Sequence, residues 1–389
     1  GWITVQGAVT LALAPVLLLL FQQVSLISPL ANAIAIPLVS WLITPLALLG
    51  VLAPPLWHVA AWLMDGLGAG LAWAAALPQA VATLPAPPGW AIALALTGTI
   101  WLLLPRGFPA RSLGAVLWLP LLFPQHEALA PGTFRADVLD VGQGTAVLIR
   151  TARHALLYDT GASYAESDAG ERIVVPYLRA SGVGQLSGVI VTHDDNDHSG
   201  GLRSVLRDVP TGWLLHGMPA DSPLLAGAPN ARRCVRGQRW IWDGVIFEML
   251  NPRPAAYAQR GRRNNDFSCV LRVRNGQHTL LLTGDGERQT ELELVESGLL
   301  EPVRVLLAGH HGSRTSSIAE FVDATRPELV VFTLGYRNRY GHPHPEVVAR
   351  FRDIDARLLR SDHDGLIRLD FGEAGVEASQ YRPSNRRYW

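Results

Sequence analysis

At 389 residues, with 49% hydrophobic and 17% charged side chains and 33 acidic groups balanced by 33 basic ones, the chain has room for two or three domains and carries no net charge. That balance excludes holding an anionic polymer by a global field, and 2 cysteines in such a length exclude a disulfide-dependent scaffold. The charge is unevenly spread: up to His126 the only formally charged side chains are Asp65, Arg106 and Arg111, so a membrane half, residues 1–126, is expected ahead of a charged, water-soluble half, residues 127–389.

The first half divides into apolar runs, Val9 to Phe21, Asn32 to Ala53, His58 to Leu77, Trp90 to Leu104 and Ser112 to Phe123, separated by Pro, Gly and Gln. The longer ones reach the roughly 20 residues that span a bilayer, so four or five crossings are expected. Pro15, Pro37, Pro45 and Pro120 lie inside these runs, and lipid tolerates them only where neighbouring segments satisfy the freed carbonyls, which predicts a polytopic helical bundle. The chain begins with Gly1, and its first run lacks a basic flank and a cleavage site, so it reads as an interior piece of a longer protein. Arg106 and Arg111 share one short loop; since basic loops favour the cytoplasm, everything after His126 is expected on the outer face. Asp65 reads equally as a pathway-lining acid and as an interfacial residue.

From Thr133 the texture changes to short strands: Phe134 to Val141, Ala146 to Arg150 and Ala155 to Tyr158, with a Gly142-Gln143-Gly144 turn after the first and a helix at Ile173 to Ala180. Strands followed by helices in this order fit an α/β sandwich. The chain is organised around Val189 to Gly201, where a β-branched run stops in a burst of ligand side chains, His193-x-Asp195-x-Asp197-His198, on a strand-to-helix turn. Alternation on so tight a turn sends His193 and Asp195 toward one cation and Asp197 and His198 toward a second, the arrangement of a two-metal site. Downstream, Thr279 to Thr283 ends in Gly284-Asp285-Gly286, and Val303 to Leu307 ends in Gly309-His310-His311-Gly312-Ser313, from which one His, His310 or His311, is expected to close the second site. Asp159, after a strand, reads as support behind a ligand. Cys234 and Cys269 read as small buried residues, with a disulfide open to them if this half faces an oxidising compartment. His342, in Tyr-Gly-His-Pro-His, is the expected proton donor to the leaving oxygen, with His344 as its runner-up, and Ser313, Arg314 and Thr315 suit a phosphate. Arg260, Arg262 and Arg263 form a local basic patch, the one expected to meet a polyanion if the chain binds one, with Arg232, Arg233, Arg236 and Arg239 reading equally as a solvated edge.

The His-x-Asp-x-Asp-His stretch resembles the His-x-His-x-Asp-His motif of the metallo-β-lactamase superfamily, which opens a dinuclear site in an αββα sandwich. Asp195 stands in the place of the second His, which makes the site harder and tilts it from zinc alone toward Mn²⁺ or mixed occupancy. The resemblance implies that Asp285 bridges the two metals. It also implies a third-motif His, yet that place holds Arg262-Arg263-Asn264-Asn265-Asp266-Phe267-Ser268; His216 is too remote a substitute to expect. Leu139 to Gly144, Asp159-Thr160-Gly161, Val175 to Arg179, Thr192-His193, Asn265 with Ser268, Leu282 to Asp285, His310 to Ser313 and Tyr340 to Glu346 occur in the order found in ComEC-type competence proteins. Phe21 to Leu26 and Asn32 to Pro37 resemble the end of the membrane domain of the same proteins, so the likeness covers essentially the whole chain. Thr145 and Arg314 depart from the acidic residue and the Lys of that pattern.

The resemblance implies a bacterial inner-membrane, multi-pass DNA uptake protein of natural transformation. One strand would cross the membrane half while the soluble half, as a two-metal deoxyribonuclease, degrades the other; other competence proteins and a homo-oligomer are partners it leaves open. Asp197 is then also the residue to orient the attacking water, and Asn265 and Ser268 join the substrate contacts. The rival readings are a small-molecule phosphodiesterase or lactonase on a membrane anchor and a transport protein with an inactive metallo domain.

Overall fold

The computed structural model describes residues 2–77, 80–105, 107–123, 128–259 and 261–385. Two compact units divide the chain: Gly1–His126 with Arg179–Gly182, and Glu127–Leu178 with Val183–Trp389.

In the first unit the near absence of charge leaves helix formation to apolar side chains. Helices cover Trp2–Phe21, Ser28–Leu38, Thr44–Leu49, Pro55–Ala75 and Gly89–Leu103, and strands β1 (Gln23–Ser25) and β2 (Val81–Thr83) pair antiparallel. A π-helical turn, Val39–Ile43, joins the second and third helices into one 22-residue rod, Ser28–Leu49, with Pro45 just past that turn. Among the described residues this rod is the one helix long and apolar enough to cross a membrane; Val5–Phe21, Gly89–Leu103 and Arg111–Leu122 are apolar but shorter. The last opens as a 3-10 helix, Arg111–Trp118. Pro55–Ala75 is 21 residues long, but Asp65 and three glycines dilute its apolar character. Trp41, Leu52 and Trp62 are largely exposed, as suits an apolar solvent, and Asp65 is exposed as well. Arg106, half of the topology argument, lies outside the described residues.

The second unit is two sheets. One holds β3 (Phe134–Val138), β4 (Val147–Arg150), β5 (Ala155–Tyr158), β6 (Gly188–Val191), β7 (Leu214–His216) and β8 (Arg232–Arg233), bordered beyond β3 by β16 (Ile367–Phe371) and β17 (Val376–Gln380). The other holds β9 (Arg239–Trp242), β10 (Val245–Asn251), β11 (Val270–Arg274), β12 (Thr279–Leu282), β13 (Val305–Leu307), β14 (Leu329–Phe332) and β15 (Arg357–Arg360) in sequence order. Each sheet passes from an antiparallel meander to a parallel run, β5 to β8 in the first and β12 to β15 in the second. Alternation along each strand builds three cores. Val147, Ile149, Tyr158 and Ile190 meet Phe247, Leu271, Leu282 and Val305 between the sheets. Leu148, Leu157, Val189 and Val191 face outward onto Val175, Leu178, Leu202 and Val205 of helices Val175–Ala180 and Leu202–Asp208. Leu281, Leu306 and Val330 face Leu294, Phe321 and Phe351 of helices Arg288–Glu296, Ala319–Thr325 and Pro345–Arg352. Three cores make four layers, an αββα sandwich. Cys234 and Cys269 are joined by a disulfide that links the chain after β8 to the start of β11.

Candidate metal centre

The residues of interest sit just past the carboxyl ends of the parallel strands, where an α/β sheet leaves a crevice. Asp159 follows β5, Thr192 and His193 follow β6, Asp285 follows β12, and His310 and His311 follow β13. His310 and His311 both take left-handed backbone, φ 48° and 54°, as does Asp159 at 59°, a conformation costing about 1–3 kcal/mol where no glycine occupies it. The Gly142-Gln143-Gly144 turn buttresses the centre from the first sheet. A Cβ on Gly144, itself at φ 131°, would lie 2.3 Å from the Asp197 carbonyl oxygen, so only glycine lets that turn reach the Asp197 backbone.

Each imidazole is fixed through Nδ1. His193 Nδ1 lies 2.9 Å from Thr192 Oγ1, His198 Nδ1 2.8 Å from Asp159 Oδ2, His311 Nδ1 3.0 Å from Thr333 Oγ1, and His310 Nδ1 3.2 Å from both Thr315 Oγ1 and Glu287 Oε1. Fully buried Asp159 also accepts the Thr192 N–H at 2.7 Å and its hydroxyl at 3.0 Å. The Nε2 atoms are thereby left to face the centre, as in metal sites whose ligands are oriented from behind.

Asp285 divides the cluster. Its Oδ1 lies 3.0 Å from His198 Nε2 and 3.6 Å from His311 Nε2, which is itself 3.2 Å from Asp197 Oδ2. Its Oδ2 lies 3.6 Å from His310 Nε2 and 4.0 Å from His193 Nε2, which is 3.3 Å from Asp195 Oδ2. Ligands about 2.1 Å from a tetrahedral ion stand about 3.4 Å apart, so both sets have the right spread. By mutual proximity, His193, His198 and Asp285 form one group that could hold a metal and Asp197, His198 and His311 another. The Asp285 oxygen facing each ring places His198 with His311, 3.0 and 3.6 Å from Oδ1, and not between the two groups. Buried His193 Nε2, His198 Nε2, His311 Nε2 and Asp285 Oδ1 make no hydrogen bond of good geometry although a carboxylate oxygen stands 3.0–3.3 Å from each ring nitrogen, and a cation between them would satisfy the set.

Charge is compensated within the cluster. Burial opposes ionisation of Asp285, but His198 and His311 hold its carboxyl well below the usual range. Burial likewise opposes a charged His198, yet Asp285 and Asp159 hold its pKa well above the ordinary value. Asp197, against its burial, is drawn down to about 2 by His311 and His198, and Asp195 is lowered chiefly by His193. His342 goes the other way: burial, then His310 and His311, push it down to about 4. Its ring lies 5.8 Å from that of His310.

Other expected residues land elsewhere. Arg262 is buried in ion pairing with Glu293 and donates to Gln259 at 2.7 Å, so it offers no charge to a phosphate; its position under the helix Arg288–Glu296 is a packing role the sequence did not reveal. Ser268 is buried and accepts the Asp285 N–H at 3.1 Å, which makes it a positioning residue for that carboxylate, not a substrate contact. His344 caps the helix Pro345–Arg352 by accepting the Glu346 N–H at 3.3 Å, and His216 belongs to neither ligand group among the described residues. Arg260 lies outside the described residues. Arg263 is exposed, 3.3 Å from Glu287, and shares with Arg314 and Thr315 a groove of about 880 Å³ whose lining sets five arginines against five acids, Asp266, Glu287, Glu293, Glu296 and Glu320. Asn265 reaches Glu287 at 3.4 Å, and Ser313 meets Thr315 at 3.0 Å. Sequence reasoning missed Asn264, whose amide donates to Asp195 at 2.6 Å, and Glu287, which binds His310, Thr315 and Arg263; the acid two residues beyond Asp285 was its only signal.

The description "Competence protein" matches residues 1–109, and "Metallo-beta-lactamase superfamily" matches residues 139–335, just over half of the chain. Competence protein ComA of Neisseria gonorrhoeae is 39% identical over 375 residues, 95% of this chain and 51% of that protein. Recombination protein 2 of Haemophilus influenzae is 30% identical over 413 residues, 97% of this chain and 51% of that one. ComE operon protein 3 of Bacillus subtilis is 28% identical over 410 residues, 95% and 51%. The chain thus spans about half the length of the curated relatives it matches.

Proposed function

Because the chain belongs to the metallo-beta-lactamase superfamily and carries a competence-protein segment ahead of that domain, we propose that it takes part in DNA uptake as a membrane protein whose C-terminal domain hydrolyses phosphodiesters of the strand that is not imported. The observation that carries this reading is the division of ligand atoms about Asp285, with four of them buried and in no well-formed hydrogen bond. His193, Asp195 and His310 would hold one divalent cation, manganese or zinc, Asp197, His198 and His311 the other, and Asp285 both, so that His310 supplies what the third-motif place lacks. Two such cations when bound neutralise a phosphate oxygen and make hydroxide available near neutral pH. Asp197, ionised and partly exposed, is placed to orient the attacking water. With its pKa near 4, His342 meets the substrate as a neutral imidazole, so it donates a proton to the leaving oxygen only after taking one up beside the bound phosphate. Thr315, Arg314 and Arg263 line the groove that would receive the phosphate.

A multi-pass arrangement in the inner membrane belongs to the same reading, with the shorter apolar helices crossing as part of a larger bundle. The Cys234–Cys269 disulfide supports placing the metallo domain on the outer face, because such bonds persist in oxidising compartments. The test is metal content and cleavage measured together on the purified chain. Wild type should retain two equivalents of Mn²⁺ or Zn²⁺ and cut a single-stranded oligonucleotide. His193→Ala and Asp285→Asn should each lose metal and lower cleavage by roughly 100-fold or more. Undiminished cleavage by either variant would sink the assignment.

A further inference from the structure

Among the described residues of the second unit, five large apolar or aromatic side chains stand exposed, and two of them, Tyr336 and Tyr340, lie within five residues of each other on the loop after β14. Arg337 lies over the Tyr336 ring at 5.3 Å and Arg339 over the Tyr340 ring at 5.1 Å. The loop is held in place at both ends: Gly335 donates its N–H to Gln143 at 3.3 Å, and the Asn338 side chain accepts the His342 N–H at 3.0 Å and donates to the His342 carbonyl at 2.8 Å. From it a series of rings runs inward, Tyr340 stacked with His342 at 5.8 Å and His342 against His310 at 5.8 Å, so the outermost ring is two contacts from a proposed metal ligand.

We infer that this loop is the stacking platform for single-stranded DNA at the entrance to the metal centre, Tyr336 and Tyr340 each taking the face of an unpaired base and Arg337 and Arg339 the adjoining phosphates. The inference rests on the reading of the domain as a DNA hydrolase and adds the state of the strand it accepts. In the free loop the exposed rings are covered only by exposed guanidiniums, which a base would displace. An unpaired base stacked there contributes roughly tenfold in affinity per ring without regard to sequence. The interleaved guanidiniums are exposed and follow the phosphates when a strand arrives. Bases inside a duplex present no free face, so a duplex should be held only through its phosphates.

Binding of three fluorescent 12-mers to the full chain, with EDTA present to prevent cutting, separates the possibilities: oligothymidylate, an abasic strand of equal length and charge, and a duplex. Wild type should favour oligothymidylate over the abasic strand by roughly tenfold or more. Tyr336→Ala/Tyr340→Ala should erase that preference with abasic binding unchanged, and Tyr336→Phe/Tyr340→Phe should keep it, because the ring and not the hydroxyl is used. Equal wild-type affinity for the two strands, or a preference that survives the alanine pair, overturns the platform while leaving hydrolysis standing. Failure of the wild type to bind any of the three overturns the DNA reading itself, and the platform with it.

Discussion

His198 couples metal binding to pH. In the metal-free protein Asp285 and Asp159 keep its imidazole charged against the effect of burial, so a cation entering the site must displace that proton. The sign follows from the raised pKa: the protonated ring stabilises the metal-free fold below about pH 6.5 and ceases to do so as pH rises through the folded-state value. Metal affinity should therefore climb between pH 6 and pH 8, with proton release visible by calorimetry in buffers of different ionisation enthalpy. A pH-independent affinity would refute the network. Asp159→Asn should weaken metal binding by roughly 10–100-fold through loss of the Nδ1 anchor, with the ligands themselves untouched.

Among the elements, the turn between β3 and β4 has a measurable role. Gly144→Ala puts a Cβ against the Asp197 carbonyl oxygen, and the turn also carries Thr145, whose hydroxyl lies 3.0 Å from that of Thr333 behind His311. The substitution should therefore empty the side of Asp285 that includes Asp197, His198 and His311, lowering metal content from two equivalents toward one while circular dichroism stays unchanged. Strand-end ligands of this kind were readable in advance, because each cluster adjoins an apolar β-run that announces its own strand. Roles set by a distant partner were not: nothing near Arg262 points to Glu293, nothing near Asn264 points to Asp195, and the Cys234–Cys269 pairing depends on how two sheets meet. One His of the His310-His311 pair was expected at the cluster; that both reach Asp285, one toward each oxygen, depends on two successive left-handed residues, which no spacing rule foresees. The apolar runs of the first half each fall on a helix of equal or greater length, the first covering only the later part of Trp2–Phe21, and the last opens as a 3-10 segment that no apolar spacing announces.

A reporter active only outside the cytoplasm, fused after residue 389, should be active in cells, and Cys234 and Cys269 should resist alkylation until a reductant is added. Activity of a cytoplasm-only reporter at the same position, with freely alkylated cysteines, would reverse the topology. The strand order has a consequence of another kind, in time. β16 follows every strand of the second sheet, yet it pairs with β3, the first strand of the domain, and Arg135–Asp370 and Arg368–Asp137 bridge sequence separations of 235 and 231 residues. At about 5–20 residues per second of synthesis, β3 waits on the order of 10–50 s for its neighbour. During that interval its edge is open to aggregation and proteolysis, so the newborn domain depends on whatever shelters it until its last strands have been made.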